Sequence, residues 1–265
     1  TPPASVVIDP GSSTFNGVQI QPDTKDIPNW TAPDAIQFWS LSSDGKLFSA
    51  TVGQEINLID PTTAKPIGQP WKVPSLPTDS LMARNDTLFA VALPNPVHAS
   101  KQNEVRLWSV RESKEVPLAQ AEASVSMLRT SKDGRWLADA AAGVGQAFKA
   151  FAVLWDLESP TTPPRTIPHP DTILDIQFSA DGKRMAISGI DQGVQVWNTE
   201  AATKAARAFY DPFGSVNSLL FSPDSRSIAT ISTDNTNSVV RVWDWQEALP
   251  ISQPFQYPTI PSGLL

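Results

Sequence analysis

Residues 178–198 read Phe178-Ser-Ala-Asp181-Gly182-Lys-Arg-Met185-Ala186 and then Asp191-Gln-Gly-Val-Gln-Val-Trp197-Asn198. The same pattern returns as Phe221-Ser-Pro-Asp224-Ser-Arg-Ser-Ile228-Ala229 followed by Val239-Val-Arg-Val-Trp243-Asp244. A third copy runs from Ser131-Lys-Asp133-Gly134-Arg-Trp136-Leu137-Ala138 to Ala152-Val-Leu-Trp155-Asp156. A fourth runs from Ser43-Asp44-Gly45-Lys-Leu-Phe48-Ser49 to Ile56-Asn-Leu-Ile59-Asp60. The weakest links Arg84-Asn-Asp-Thr-Leu-Phe89-Ala90 to Val105-Arg-Leu-Trp108-Ser109. The closing residues at 59, 108, 155, 197 and 243 are spaced by 49, 47, 42 and 46 residues, a mean of 46. A period of about 40–50 residues built from short strands is the sequence signature of a stack of small β-sheets around an axis.

Each copy has one physical plan. An apolar strand such as Ile173–Phe178 enters an Asp-Gly turn, which supplies the positive-φ residue of a tight hairpin. The return strand places a large residue at one offset (Phe48, Phe89, Leu137, Met185, Ile228) and a small one after it (Ser49, Ala90, Ala138, Ala186, Ala229). That alternation fits sheets packed tightly near an axis. A third strand closes the copy, and an outer strand follows with proline, as in Ile67-Gly-Gln-Pro70 and Ile251-Ser-Gln-Pro254, because edge strands tolerate a missing N–H. Residues 1–30 read as the tail of a partial sixth copy, since Ser5-Val-Val-Ile-Asp9-Pro repeats Asn57-Leu-Ile-Asp60-Pro.

This pattern resembles the WD-repeat family of β-propellers. The resemblance implies an all-β chain of four-stranded antiparallel blades. Five repeats are recognisable, at about 31–72, 73–118, 119–165, 166–208 and 209–258, in a single domain spanning 1–265. Both a ring of six and an arc of a larger ring stay open. The family also carries an Asp–His–Ser/Thr–Trp tetrad. His169, Asp191 and Trp197 match it by spacing, with Ile187 at the Ser/Thr place. Thr230, Asp234 and Trp243 match it in the last copy, with Pro212 where His is expected.

Composition narrows the function. The 265 residues carry 20 Lys+Arg against 27 Asp+Glu, a net charge of −7, which disfavours nucleic acid and anionic membranes as partners. There is no Cys and there are two His, so thiolate chemistry and a multi-His metal site are out of reach. Proline, at 25 residues, is close to twice its usual share of about 5% and disfavours long helices. No charged segment leading into an apolar run is seen, and Ala138–Trp155 is too interrupted by Gly143, Gly145 and Lys149 to span a membrane. The expectation is a cytoplasmic protein, with Thr1 in place of Met pointing to a processed chain or a piece of a longer polypeptide.

No catalytic constellation stands out, and no metal or cofactor is expected. Gly143-Val-Gly145 lacks the rest of a phosphate loop. His98 reads as a solvated loop residue. Asp139, at the place Thr230 holds in the last repeat, reads either as a distorted strand or as an acid facing the axis of a propeller hydrolase. Asp175 reads as a turn or surface partner. The insertions Leu93–Glu104, Ala141–Ala150 and Thr233–Ser238 share one place in the repeat and are expected on one face. They nominate Asn95, His98, Gly143, Gln146, Asn235 and Asn237 for binding, because loops on a rigid scaffold usually carry it. Trp30, Trp71 and Trp245 are not required by the repeat and are either aromatic anchors for a partner or cover for an outer edge. The proline-rich stretches Pro70–Pro77, Ser159–Pro170 and Pro250–Pro261 read either as docking motifs or, by preference, as rigid connectors.

The leading functional expectation is a non-catalytic scaffold or sensor module binding other proteins or other domains of its own polypeptide. Asp60-Pro-Thr-Thr-Ala-Lys-Pro-Ile-Gly-Gln-Pro looks like blades of large bacterial signalling proteins. The alternative is a propeller enzyme, either a lactonase-like metal-dependent hydrolase or a quinoprotein-type dehydrogenase.

Overall fold

A computed structural model describes residues 30–42, 44–94, 103–121, 124–142, 150–190, 193–233 and 237–257. Every regular element among them is a strand, and the chain divides into two compact units, Thr1–Pro74 and Ser75–Leu265.

The first unit holds one sheet, formed by β1 (Ile36–Leu41), β2 (Phe48–Val52), β3 (Glu55–Asp60), β4 (Lys65–Pro66) and β5 (Trp71–Lys72). Its order is β1-β2-β3-β4, and β5 also pairs with β3, so the outer strand comes in two pieces.

The second unit holds four sheets of the same plan. The second blade is β6 (Asp79–Ala83), β7 (Leu88–Pro94), β8 (Asn103–Ser109) and β9 (Lys114–Val116). The third is β10 (Ser124–Thr130), β11 (Trp136–Ala142), β12 (Ala150–Asp156) and β13 (Arg165–Pro168). The fourth is β14 (Ile173–Phe178), β15 (Arg184–Gly189), β16 (Val194–Asn198) and β17 (Thr203–Lys204). The fifth is β18 (Ser215–Phe221), β19 (Ser227–Thr233), β20 (Ser238–Asp244), β21 (Leu249–Pro250) and β22 (Phe255–Tyr257), with β21 and β22 both on β20.

The large-then-small alternation is the packing code between blades. Ala90 of the second blade shares a cluster with Leu137 and Trp155 of the third. Ala138 of the third meets Met185 and Trp197 of the fourth, and Ala186 of the fourth meets Ile228 and Trp243 of the fifth. A methyl group on one sheet leaves the volume that a large side chain on the next sheet fills, which is how interiors reach close packing without voids.

The hairpin turns follow the sequence expectation. Gly45, Gly134 and Gly182 have φ of 69°, 71° and 68°, and Ser225 takes the position in the fifth blade at 61°. In each, a serine hydroxyl donates to the turn aspartate: Ser42 to Asp44, Ser131 to Asp133, Ser179 to Asp181 and Ser222 to Asp224. The amides of Lys46 and Arg226 bond Asp44 and Asp224 as well, and those hydrogen bonds hold both carboxyls below their ordinary range. The second blade turns instead through Arg84, Asn85 and Asp86, all with positive φ.

The innermost strand is not the smooth strand that alternation suggests. Its register slips by one residue at the same place in four blades, between Ile36 and Phe38, Val125 and Met127, Ile173 and Asp175, and Val216 and Ser218. Such a bulge re-aims the residue that follows it.

Candidate binding surface

The bulge of β14 turns Asp175 into the protein. Asp175 is 3% exposed, which corrects its reading as a turn or surface residue. Its Oδ1 accepts from the Ile176 amide at 2.9 Å and from Arg129 of the third blade at 3.2 Å. Its Oδ2 accepts from the Leu219 amide of the fifth blade at 3.1 Å. One carboxylate therefore joins three blades. Asp79 on β6 joins two blades, accepting from the Ser80 amide at 2.7 Å and from the Leu128 amide of the third blade at 2.8 Å. Burial pushes the Asp79 carboxyl up, against those two amides and Arg129, which pull it down.

The tetrad residues are placed differently in the two blades that carry them. In the fifth, Trp243 Nε1 donates to Thr230 Oγ1 at 3.0 Å, as the resemblance implies. Asp234 lies outside the described residues. Near Pro212, Asp211 stands 3.9 Å from Arg241, whose guanidinium lies over Phe213 and Trp243. In the fourth, His169 is buried and its Nδ1 faces the carbonyl and carboxylate oxygens of Asp171 at 3.0 and 3.2 Å, so Nδ1 is the nitrogen that donates. Asp191 lies outside the described residues. Trp197 Nε1 is buried without an acceptor among the described residues, because Ile187 holds the place of Thr230. In the third blade Trp155 Nε1 donates instead to the Ala119 carbonyl at 2.7 Å.

Asp139 sits in an unbroken β11–β12 ladder from Trp136 to Ala142, while on its other side β10 slips register between Val125 and Met127. Its Oδ1 accepts from the Met127 amide at 3.2 Å, a structural use of a buried carboxylate. Among the described residues no group of three or more His, Asp or Glu could hold a metal ion.

Two of the three proposed aromatic anchors are not surface residues. Trp71 is 8% exposed and pairs with Ile56 in the outer edge of the first blade. Trp245 is 5% exposed, donates to the Ser225 carbonyl at 2.9 Å and carries Arg184 over its ring. Both cover a sheet because the outer strand or closing turn folds back over it. Trp30 is half-buried. The exposed tryptophan is Trp39 on β1, 59% open and stacked on Phe48.

The connections between second and third strands leave the same end of each sheet. They follow the pairs Pro94–Asn103, Ala142–Ala150, Ser188–Val194 and Thr233–Ser238. Of the residues nominated there, Asn237 is described and Asn95, His98, Gly143, Gln146 and Asn235 lie outside the described residues.

Serially packed four-stranded antiparallel sheets with this face-to-face code are the blades of a β-propeller. The family described as "WD domain, G-beta repeat" matches residues 161–198 and 207–244, which hold the three inner strands of the fourth and fifth blades and, in the first match, β13 before them. Two blades of the chain are thus matched as WD repeats. The chain is 33% identical over 130 residues to "Protein HIR1" of Candida albicans, covering 45% of this chain and 14% of that protein. It is 33% identical over 93 residues to a guanine nucleotide-binding protein subunit beta of Nicotiana plumbaginifolia, covering 32% of this chain and 24% of that one. The chain thus spans less than a quarter of the length of these relatives. Among solved structures it resembles a chain of Kuenenia stuttgartiensis hydrazine synthase, with a TM-score of 0.58 at 14% identity, covering 79% of this chain and 64% of that chain. That likeness concerns the fold alone. No helix among the described residues is long and apolar enough to cross a membrane.

Proposed function

We propose that this protein is a non-catalytic interaction scaffold. Its partners are other proteins or other domains of its own polypeptide, rather than nucleic acid or lipid, and it works in a cytoplasmic signalling polypeptide. In this reading the five repeats and the partial sixth form one domain. The observation that carries the reading is the division of labour in the blades. The buried polar groups Asp139, Asp175 and Thr230 and the half-buried Asp79 bond backbone or core groups of the fold, whereas the second-to-third-strand connections vary in length and leave the same end of their sheets. A rigid frame with variable loops on one face is the usual layout of a binding surface. One relative is by name a subunit, which agrees with assembly into something larger.

The test is affinity capture with the wild-type protein and with a variant whose connection 95–102 is replaced by a short Gly-Asn linker. Proteins retained by the wild type and lost by the variant support the reading. Identical capture by both moves the binding face elsewhere. Stoichiometric calcium in the purified protein, together with esterase turnover, overturns the scaffold reading in favour of a hydrolase.

A further inference from the structure

The second blade has an open strand edge that its sister blades fill. In the first blade Ile56 of β3 pairs outward with Trp71. In the third Ala152 pairs with Ile167, and in the fifth Val240 pairs with Phe255. In the fourth, Val194 and Phe209 exchange both backbone hydrogen bonds, at 2.9 and 3.2 Å. Counted back from the closing residue, the matching position in the second blade is Val105 of β8. There the outer strand β9 ends at Val116, one residue short of the place opposite Arg106 that Pro117 would take. The Val105 carbonyl accepts the side-chain amide of Gln120 at 3.0 Å. No described residue accepts from the Val105 N–H, although the residue is 1% exposed. Buried backbone donors are almost always paired, so this one marks a missing partner.

Beside it lies a groove of about 380 Å³ lined by Val105, Arg106, Val116, Pro117, Leu118 and Gln120. Its rim is acidic on balance, since Glu104 and Glu115 share the single guanidinium of Arg106 at 2.7 and 3.5 Å. The first blade shows what fits such an edge. There Trp71 lies opposite Ile56, and Lys72 lies opposite Glu55 with its ammonium 3.6 Å from that carboxylate. Glu104 and Val105 occupy the places of Glu55 and Ile56.

The geometry points to the outer edge of β8 as a docking site for an extended peptide segment of a partner protein, in which an aromatic residue is followed by a basic one. The segment adds antiparallel to β8. The backbone carbonyl of its aromatic residue accepts from Val105 N–H, the ring rests on Val116, Pro117 and Leu118, and its basic side chain meets Glu104. Strand addition of this kind takes its affinity from main-chain hydrogen bonds and its specificity from alternate side chains. This deepens the scaffold reading and rests on it for the existence of a protein partner.

The probe is the acetylated, amidated peptide Gln-Pro-Trp-Lys-Val-Pro, a copy of residues 69–74, titrated to millimolar concentration into the ¹⁵N-labelled full chain. The expected result is a shift of the Val105 and Arg106 amide signals and slowed hydrogen exchange at Val105. Replacing the peptide lysine by glutamate, or methylating the tryptophan nitrogen, weakens binding by about fivefold, the worth of one hydrogen bond or ion pair. Gln120→Ala, at an exposed side chain, releases the Val105 carbonyl and strengthens binding by a similar factor. An unmoved Val105 amide overturns the proposal, as does binding indifferent to the lysine, the N-methyl group and Gln120. Shifts confined to the connection loops also overturn it but leave the scaffold reading standing. Failure of the capture experiment sinks the scaffold reading whatever β8 does.

Discussion

Replacing Asp175 by alanine is expected to cost about 3–5 kcal/mol, the range for breaking a buried charge pair. The same figure follows from the bonds lost. The substitution strips the acceptor from the amides of Ile176 and Leu219, which are 0% and 2% exposed. Each buried donor left unpaired costs about 1–3 kcal/mol. Arg129, whose side chain is 32% exposed, regains water and adds less than about 1 kcal/mol. The assay is urea unfolding at neutral pH followed by tryptophan fluorescence. A slope of about 1–3 kcal/mol per molar urea converts the loss into a midpoint drop of about 1 M or more. Asp175→Asn keeps one oxygen and is expected to fall between the alanine variant and the wild type. Arg129→Ala is expected to stay within about 1 kcal/mol of the wild type. An Asp175→Ala midpoint that moves by less than the Arg129→Ala midpoint refutes the view that this carboxylate joins three blades.

Ala64, Ala202 and Ala248 hold φ of 54°, 51° and 56° in equivalent third-to-fourth-strand turns. Glycine at any of them relieves a left-handed strain of about 1–2 kcal/mol less its entropy cost, and calorimetry is expected to show a net gain of about 0.5–1 kcal/mol. Gly134→Ala is expected to cost more than about 3 kcal/mol by the same measurement, because φ is 71° and the added Cβ runs into the backbone of Arg84 and Asn85. Ile187→Thr places a hydroxyl where Thr230 serves Trp243. It is expected to cost less than Ile187→Ala, with the Trp197 indole N–H moving downfield in the NMR spectrum; an unmoved indole signal refutes it. Unfolding midpoints are expected to fall as pH drops below about 4. Asp224, held low by Ser222 and the Arg226 amide, contributes fully above the ordinary carboxyl range and loses that contribution as pH falls through its folded value. Asp224→Asn flattens this acid limb. Asp79 has the opposite sign: burial raises it, so its contribution is present at low pH and is lost as pH rises through its folded value.

What the sequence carried openly was local or periodic. The 46-residue period, the Asp-Gly turns and the pairing of Met185 with Ala186 each depend on residues a few positions apart, so a linear reading finds them. What it hid depends on distant partners. Asp175 finds its bonds at Arg129 and Leu219, in the blades before and after its own, and the bulge that aims it has no residue signature. Trp71 and Trp245 were open to two readings because the repeat plan counts one outer strand per blade. The first and fifth blades break theirs around proline, so β5 and β22 form second outer pieces after β4 and β21. The tetrad spacing nominated His169, which is buried. The partner it faces, however, is Asp171, two residues along, which no repeat alignment nominates.

The polar places of the repeat have drifted while the apolar ones have not. The position filled by Thr230 in the fifth blade is Ile187 in the fourth, Asp139 in the third and Val91 in the second, and the buried tryptophans behind it use a hydroxyl, no described acceptor, or a backbone carbonyl. A net hydrogen bond is worth about 1 kcal/mol, so its loss from one blade is survivable. The small residues Ala90, Ala138 and Ala186 are another matter. Each faces a leucine, methionine or isoleucine of the next sheet, and a larger side chain there overpacks the joint by about 1–3 kcal/mol or more. Interlocking therefore constrains the sequence at every joint, whereas the polar network constrains it only where it survives.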